Sequence, residues 1–287
     1  MKEPDQMFRT VLFATDLSDE SAHAIRWIRW LHNYYRAKVY VVHVLDRLPF
    51  GVGNEDAVKQ KNAADRRLRT FVRTHRLDGD GFSSMLLVGD VVVLIEKLVE
   101  NHDIDCIVLG NKSAGLNRLF LGSVSEEIFR SVDCPVLTVG PKVTSPSGTL
   151  GLKRLLFATD LSEQSRSAVE YLRRLLKIAP SAELAVAHFM PRDSNSVVAR
   201  YKLRKQLQTK LIESIPDPLR KQVTEIIVES SSPAQGVIEF AKDWRTDLIV
   251  LGVRSGGPFT RAVTHGRPSI THRIVRSAVC PVLTIRS

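Results

Sequence analysis

Cysteine is scarce in this chain of 287 residues: Cys106, Cys134 and Cys280 stand far apart and never as a Cys-x-x-Cys pair. That excludes a disulfide framework, and the three read as small buried apolar side chains rather than metal or catalytic groups. No stretch approaches the roughly 20 continuous apolar residues of a membrane-crossing helix, so no membrane role is expected. The start, Met1-Lys2-Glu3-Pro4-Asp5, lacks the basic and apolar segments of a secretory signal, and the expected location is the cytoplasm. Helix-turn-helix, zinc-finger and RNP-type motifs are missing too. Acidic residues are outnumbered, 31 against 41 basic, for a net charge of +10. The surplus is spread along helical stretches such as Arg66-Arg67-Arg69-Arg73 and Lys202-Arg204-Lys205-Lys210. Solvated helix faces account for that spread. Specific nucleic-acid recognition is not expected, whereas acidic small ligands and nonspecific polyanion contacts are favoured.

What the chain has is a repeat. Phe13-Ala14-Thr15-Asp16-Leu17-Ser18 returns as Phe157-Ala158-Thr159-Asp160-Leu161-Ser162. In the same order, Ile107-Val108-Leu109-Gly110 returns as Ile249-Val250-Leu251-Gly252, and Cys134-Pro135-Val136-Leu137 as Cys280-Pro281-Val282-Leu283. Two copies of one domain are expected, each of ordinary single-domain size, over residues 1–142 and 152–287 with the break at Pro141 to Gly148.

Within each copy, apolar strand-like runs alternate with segments of helical period. In the first half the strands are expected at Thr10 to Thr15, Lys38 to Leu45, Ser83 to Val88, Cys106 to Gly110 and Val136 to Val139. The Val, Leu and Ile runs do not alternate with polar residues, as required when helices cover both faces of a parallel sheet. The fold class is therefore α/β: two tandem doubly wound, Rossmann-like domains with five-stranded parallel sheets.

In such a sheet ligands bind beyond the carboxyl ends of the strands, where the strand order reverses. Two loops there have suitable chemistry. One is Thr15-Asp16-Leu17-Ser18. The other runs from Gly110 to Ser123, where glycines admit a phosphate to the backbone and Gly122-Ser123 precedes a helix start with free N–H donors. Asp16 and Asp160 also suit capping of the first helix in each copy. His43 and His188, at the ends of the second strands, read as packed, hydrogen-bonded histidines without a nucleophilic partner. Trp27, Trp30 and Leu31 share one helical face and read as core.

Thr15-Asp16-x-Ser18, His43-Val44, Gly89-Asp90, the loop Gly110 to Ser123 and the closing Cys-Pro-Val-Leu resemble the universal stress protein family in tandem form, over essentially the whole chain. The resemblance implies a fold of the adenine nucleotide alpha hydrolase-like group and an ATP site in the first half, with or without Mg²⁺. By that resemblance Asp16 meets the ribose, the backbone near Ala14 and Val44 holds the adenine, and Gly110, Gly122, Ser123 and Val124 line the phosphates, with Thr15, Asn111 and Gly115 beside them. The family loop reads Gly-x2-Gly-x9-Gly-(Ser/Thr). Here one residue is missing between Gly110 and Gly115, and Ser113 or Ala114 stands where the second glycine belongs.

The second half departs further. Pro268-Ser269 replaces Gly122-Ser123 and removes one N–H donor, a loss of about 1.5–3 kcal/mol, and Phe189 replaces Val44. A degenerate site is expected there, with Arg254, Arg261, His265 and Arg267 gathering a different ligand. The short apolar strands that close each copy imply pairing, either between the two copies as a pseudo-twofold or between chains as a homodimer. The functional expectation is an adenine-nucleotide-binding regulator of stress responses with protein partners, not an enzyme. Two alternatives stand beside it: a slow ATP hydrolase at the same site, and an interaction protein that keeps only the fold.

Overall fold

The computed structural model describes residues 7–45, 54–110, 123–140, 142–143, 151–162, 165–191, 197–230, 232–253 and 269–286. The chain divides into two compact units, Met1–Pro141 and Lys142–Ser287. In the first, β1 (Thr10–Ala14) is followed by a 3-10 turn (Ser21–Ala24), α1 (Ile25–Tyr35), β2 (Lys38–Leu45), α2 (Asn54–Thr74) and β3 (Phe82–Val88). The chain then crosses back through α3 (Val91–Asn101), β4 (Cys106–Gly110), α4 (Ser123–Ser131) and β5 (Val136–Val139). The sheet order is β3-β2-β1-β4-β5, with every pair parallel.

The unbroken apolar strands follow from this arrangement. Val11, Leu12 and Phe13 are all completely buried, because successive side chains point to opposite faces and helices cover both. Phe13 meets Phe71 of α2 on one face, with ring centroids 6.4 Å apart. Leu12 and Ala14 take the other face, toward α3 and α4. Trp27 and Leu31 of α1 are buried as the helical spacing requires, and Trp30 is half-buried against Tyr34 and Tyr35. Helix α3 starts where the Asp90 carboxylate accepts the Val93 N–H at 3.0 Å, an N-cap that satisfies one orphan donor.

The second unit repeats the plan with β6 (Arg154–Ala158), α5 (Arg166–Ile178), β7 (Glu183–Pro191), α6 (Val197–Glu213), a short α7 (Asp217–Arg220) and β8 (Val223–Ser230). It continues with α8 (Pro233–Asp243), β9 (Leu248–Val253), α9 (Ile270–Ser277) and β10 (Val282–Arg286). Its strand order is β8-β7-β6-β9-β10, again parallel throughout. Ser232 and Ser269 cap α8 and α9 through the N–H groups of Gln235 and His272. Among the described residues, no helix is long and apolar enough to cross a membrane.

Both units brace the amino end of the sheet in the same way. One Asp105 oxygen accepts the backbone N–H groups of Arg9 and Thr10 at 2.8 and 2.9 Å. Asp247 does the same for Lys153 and Arg154 at 2.7 and 2.9 Å. Each carboxylate ties the entry of the first strand to the fourth. Asp105→Ala and Asp247→Ala are expected to cost about 1–3 kcal/mol each, in their own unit only, because two charge-assisted donors lose their acceptor. Urea unfolding followed by a probe in each unit checks the size and the separation of the two effects.

Candidate functional site

The strand order reverses at β1, with β2 on one side and β4 on the other. A cleft that opens to solvent lies at the carboxyl ends of these strands, with about 530 Å³ of empty space. Ala14, Thr15 and Asp16 line it from the end of β1, and Val42, His43 and Val44 from β2. Leu109 and Gly110 line it from β4, Val91 and Ile95 from α3, and Val124, Ser125 and Ile128 from the start of α4. The floor is apolar, the β1 rim carries a carboxylate, and the α4 rim offers the first turn of a helix, where backbone N–H groups lack intrahelical partners.

The loop after β1 is held by directed hydrogen bonds. The Leu17 N–H donates to Thr15 Oγ1 at 3.0 Å, Thr15 Oγ1–H to Ser21 Oγ at 2.8 Å, and Ser21 Oγ–H to the Ser18 carbonyl at 2.8 Å. That order follows because Ser21 has one hydroxyl proton and the carbonyl can only accept. Leu17 itself sits in the left-handed region at φ 62°, as does Leu161 in the second unit. Asp16 Oδ1 accepts from both the N–H and the hydroxyl of Ser18. Among the described residues both bonds fall on Oδ1.

Helix capping by Asp16 and Asp160 is therefore corrected. A 3-10 turn with Glu20 at its N-cap intervenes in the first unit, and Asp16 closes a turn within its own loop instead. In the second, Ser165 occupies the N-cap position of α5 and Asp160 folds onto Ser162 and Ser165. Among the described residues the two loops direct one serine hydroxyl differently. Ser165 Oγ donates to Asp160 Oδ1 at 3.0 Å, whereas the matching Ser21 hydroxyl is directed to the Ser18 carbonyl.

His43 Nδ1 lies 2.9 Å from the Thr15 carbonyl oxygen, which can only accept, so Nδ1 carries the proton. Burial pushes the imidazole below its ordinary range; Arg67 adds to the shift, and the Thr15 bond and Asp16 oppose it. His188 makes the matching bond to Thr159 at 2.9 Å. Both histidines thus pin the second strand to the loop after the first. The cysteines are no part of the site: burial pushes the thiols of Cys134 and Cys280 up to about 12 and that of Cys106 well up as well, so they stay protonated.

Gly110 lines the cleft, and its lack of a side chain has a packing cause. A Cβ there would fall 2.6 Å from Ser21 Cα and 2.7 Å from the Ser21 carbonyl oxygen. Asn111, Gly115 and Gly122 lie outside the described residues, as do Arg254, Arg261, His265, Arg267 and Pro268. Ser123 opens α4, with its side chain likewise outside the description. Sequence reasoning passed over Val42, Val91, Ile95, Leu109, Ser125 and Ile128. Val42 was open to inference from strand alternation with Val44. The helix residues look like any core position until the register of α3 and α4 on the sheet is known.

Strand order, parallel pairing and the position of the cleft place each unit in the doubly wound α/β class. A model of the universal stress protein family matches residues 7–140 and again 151–286, and the chain belongs to that family as a tandem of two such domains. It is 26% identical to Universal stress protein MJ0531 of Methanocaldococcus jannaschii over 146 residues, 48% of this chain and 86% of that protein. A universal stress protein of Thermus aquaticus is 30% identical over 138 residues, 46% of this chain and 99% of the relative. Among solved structures, a universal stress protein from Archaeoglobus fulgidus covers 96% of both chains at 20% identity with a TM-score of 0.67, a likeness of fold.

Two outcomes are expected. His43 stays neutral in the folded protein to a lower pH than in the unfolded chain, where the ordinary value is 6.5. Its contribution to stability is whole above pH 6.5 and is lost as the pH falls below that toward the folded value, because the unfolded state then binds the proton first. Wild type should lose more stability than His43→Asn between pH 7 and pH 5 in paired denaturant titrations. Gly110→Ala should destabilise the first unit by about 1–3 kcal/mol, the usual cost of forcing an atom into packed backbone, read as a lowered first-unit transition.

Proposed function

We propose that the cleft of the first unit takes an adenine nucleotide, ATP in the first instance, and that the protein is a nucleotide-responsive regulatory component of a cytoplasmic stress response acting through protein partners. The observation that carries this reading is that three different kinds of surface line one cleft. The apolar slot between Val42, Val44 and Ile95 accepts a flat base and excludes water from its faces. The second oxygen of Asp16 stands at the rim as an acceptor for a ribose hydroxyl, its partner oxygen already engaged by Ser18. The first turn of α4 at Val124 and Ser125 supplies N–H donors and a positive dipole end toward an anion.

No residue in this arrangement is placed as a nucleophile. His43 spends its Nδ1 proton on Thr15, and Asp16 is committed to its own loop on one side. Binding needs neither group to change its proton, so occupancy rather than turnover is the output we assign.

Isothermal titration of the full chain with ATP, with and without Mg²⁺, is the test. Saturable binding is expected, weakened tenfold or more in Asp16→Ala because a hydrogen bond to a charged group contributes about 1.5–3 kcal/mol. Asp160→Ala should bind as wild type does. Absence of saturable binding at millimolar ATP, or equal affinity in wild type and Asp16→Ala, overturns the assignment. Phosphate release measured on the same samples separates a binder from a hydrolase.

A further inference from the structure

Several bonds at the carboxyl ends of the strands recur in both units, which makes their differences readable. The Thr15 N–H donates to the Val42 carbonyl at 3.0 Å and the Thr159 N–H to the Ala187 carbonyl at 3.0 Å. The histidines that follow make the same 2.9 Å bond to the threonine carbonyl. Ala14 pairs with Val42, and Ala158 with Ala187. Val42 and Val44 therefore correspond to Ala187 and Phe189, on the strand face that in the first unit lines the cleft. Counting from the helix caps Asp90 and Ser232, Leu94 corresponds to Gly236 and Ile95 to Val237.

Phe189 does not project from the second unit. It is 6% exposed and belongs to a buried cluster with Ala158, Ala187, Val237, Leu251 and Ile274. Four of these, Ala158, Val237, Leu251 and Ile274, are counterparts of Ala14, Ile95, Leu109 and Ile128, which in the first unit stand around open space. Where valine becomes phenylalanine on β7, its neighbours shrink to receive the ring: valine to alanine at 187 and leucine to glycine at 236. A Cβ on Gly236 would lie 2.5 Å from Phe189 Cδ1 and 2.9 Å from Ser230 Cβ. A glycine inside α8 is a poor helix residue, and the ring beside it is the reason for its presence.

We propose that Phe189 is a built-in occupant of the second unit's base slot. Its phenyl ring takes the volume that the first unit leaves open, so the chain carries one adenine nucleotide and the second unit holds its closed packing without any. The inference rests on the reading of the first cleft as a nucleotide site, and its test is arranged so that the two can fail separately.

Three measurements on the full chain decide it. Gly236→Ala would ordinarily strengthen a helix; here it should instead lower the second unit's thermal transition, because the new methyl displaces the ring, and an unchanged or raised transition overturns the proposal. Phe189→Ala should open an apolar cavity of the kind that stays dry and admits small aromatics. Indole should then raise the transition of Phe189→Ala and leave that of wild type where it is. No indole effect on a folded Phe189→Ala, judged by circular dichroism, or an equal effect on wild type, counts against the ring as occupant. If Phe189→Ala does not fold, Phe189→Leu with benzene replaces it, with the same two readings. Finally, ATP should titrate wild type to one equivalent, and Asp16→Ala should show no second site of wild-type affinity; two equivalents overturn the proposal. Failure of wild type to bind ATP at all overturns only the function proposed above, since the indole and Gly236→Ala arms involve no nucleotide.

Discussion

A parallel sheet that grows outward from its first strand in both directions reverses its strand order there, and the carboxyl ends of β1, β2 and β4 come to border one cleft. Every property of the site depends on that reversal. It brings Asp16, Gly110 and residues of α3 and α4 to the edge of one cleft. The residues then decide what fills the gap. In the first unit valines and an isoleucine leave it open; in the second, larger and smaller side chains exchanged across the same positions close it.

The comparison between halves separates what the fold needs from what a ligand needs. The threonine after the first strand, the histidine at the end of the second and the aspartate that braces the sheet from below recur in both units with the same partners at nearly the same distances. They are scaffold. The side chains at 42, 44 and 94 are not repeated: Ala187, Phe189 and Gly236 stand in their places, and Val42 and Val44 line the first cleft while Ala187 and Phe189 lie in the second unit's buried cluster. Ser21 and Ser165 mark a milder divergence: the same hydroxyl serves a carbonyl in one loop and a carboxylate in the other.

Much of the fold was legible because strands covered on both faces have no reason to alternate, and unbroken runs such as Val39 to Val42 announce that condition directly. The repeat supplied the rest of the architecture. The short α7 was not legible, since it depends on how the chain returns between α6 and β8, and β7 runs on to Pro191 because it pairs with β8 as far as Ser230. Around the cleft, loop position drew attention to Asp16 and Gly110, and the family resemblance to Ala14, Val44 and Val124. The apolar walls at Val91, Ile95 and Ile128 carried no mark, because a residue facing a cavity and one facing the core satisfy the same helical pattern. Asp16 looked like a helix cap because the intervening 3-10 turn, which takes Glu20 as its entry, leaves no trace in composition. Gly110 shows the reverse case: its type was noticed for phosphate approach, while the coordinates tie it to the backbone of Ser21.

Leu17 and Leu161 both hold a left-handed backbone angle that disfavours a branched side chain by about 1–2 kcal/mol. In the second unit the slot beyond that bend is filled from within, so no visiting molecule is needed to maintain the awkward angle there. The Leu161 N–H bond to Thr159 Oγ1 at 2.9 Å keeps it, as the bond from Leu17 to Thr15 does in the first unit. The bend beside each carboxylate is therefore indifferent to whether the neighbouring slot is open, and side-chain exchange can open the second slot with its loop left as it is.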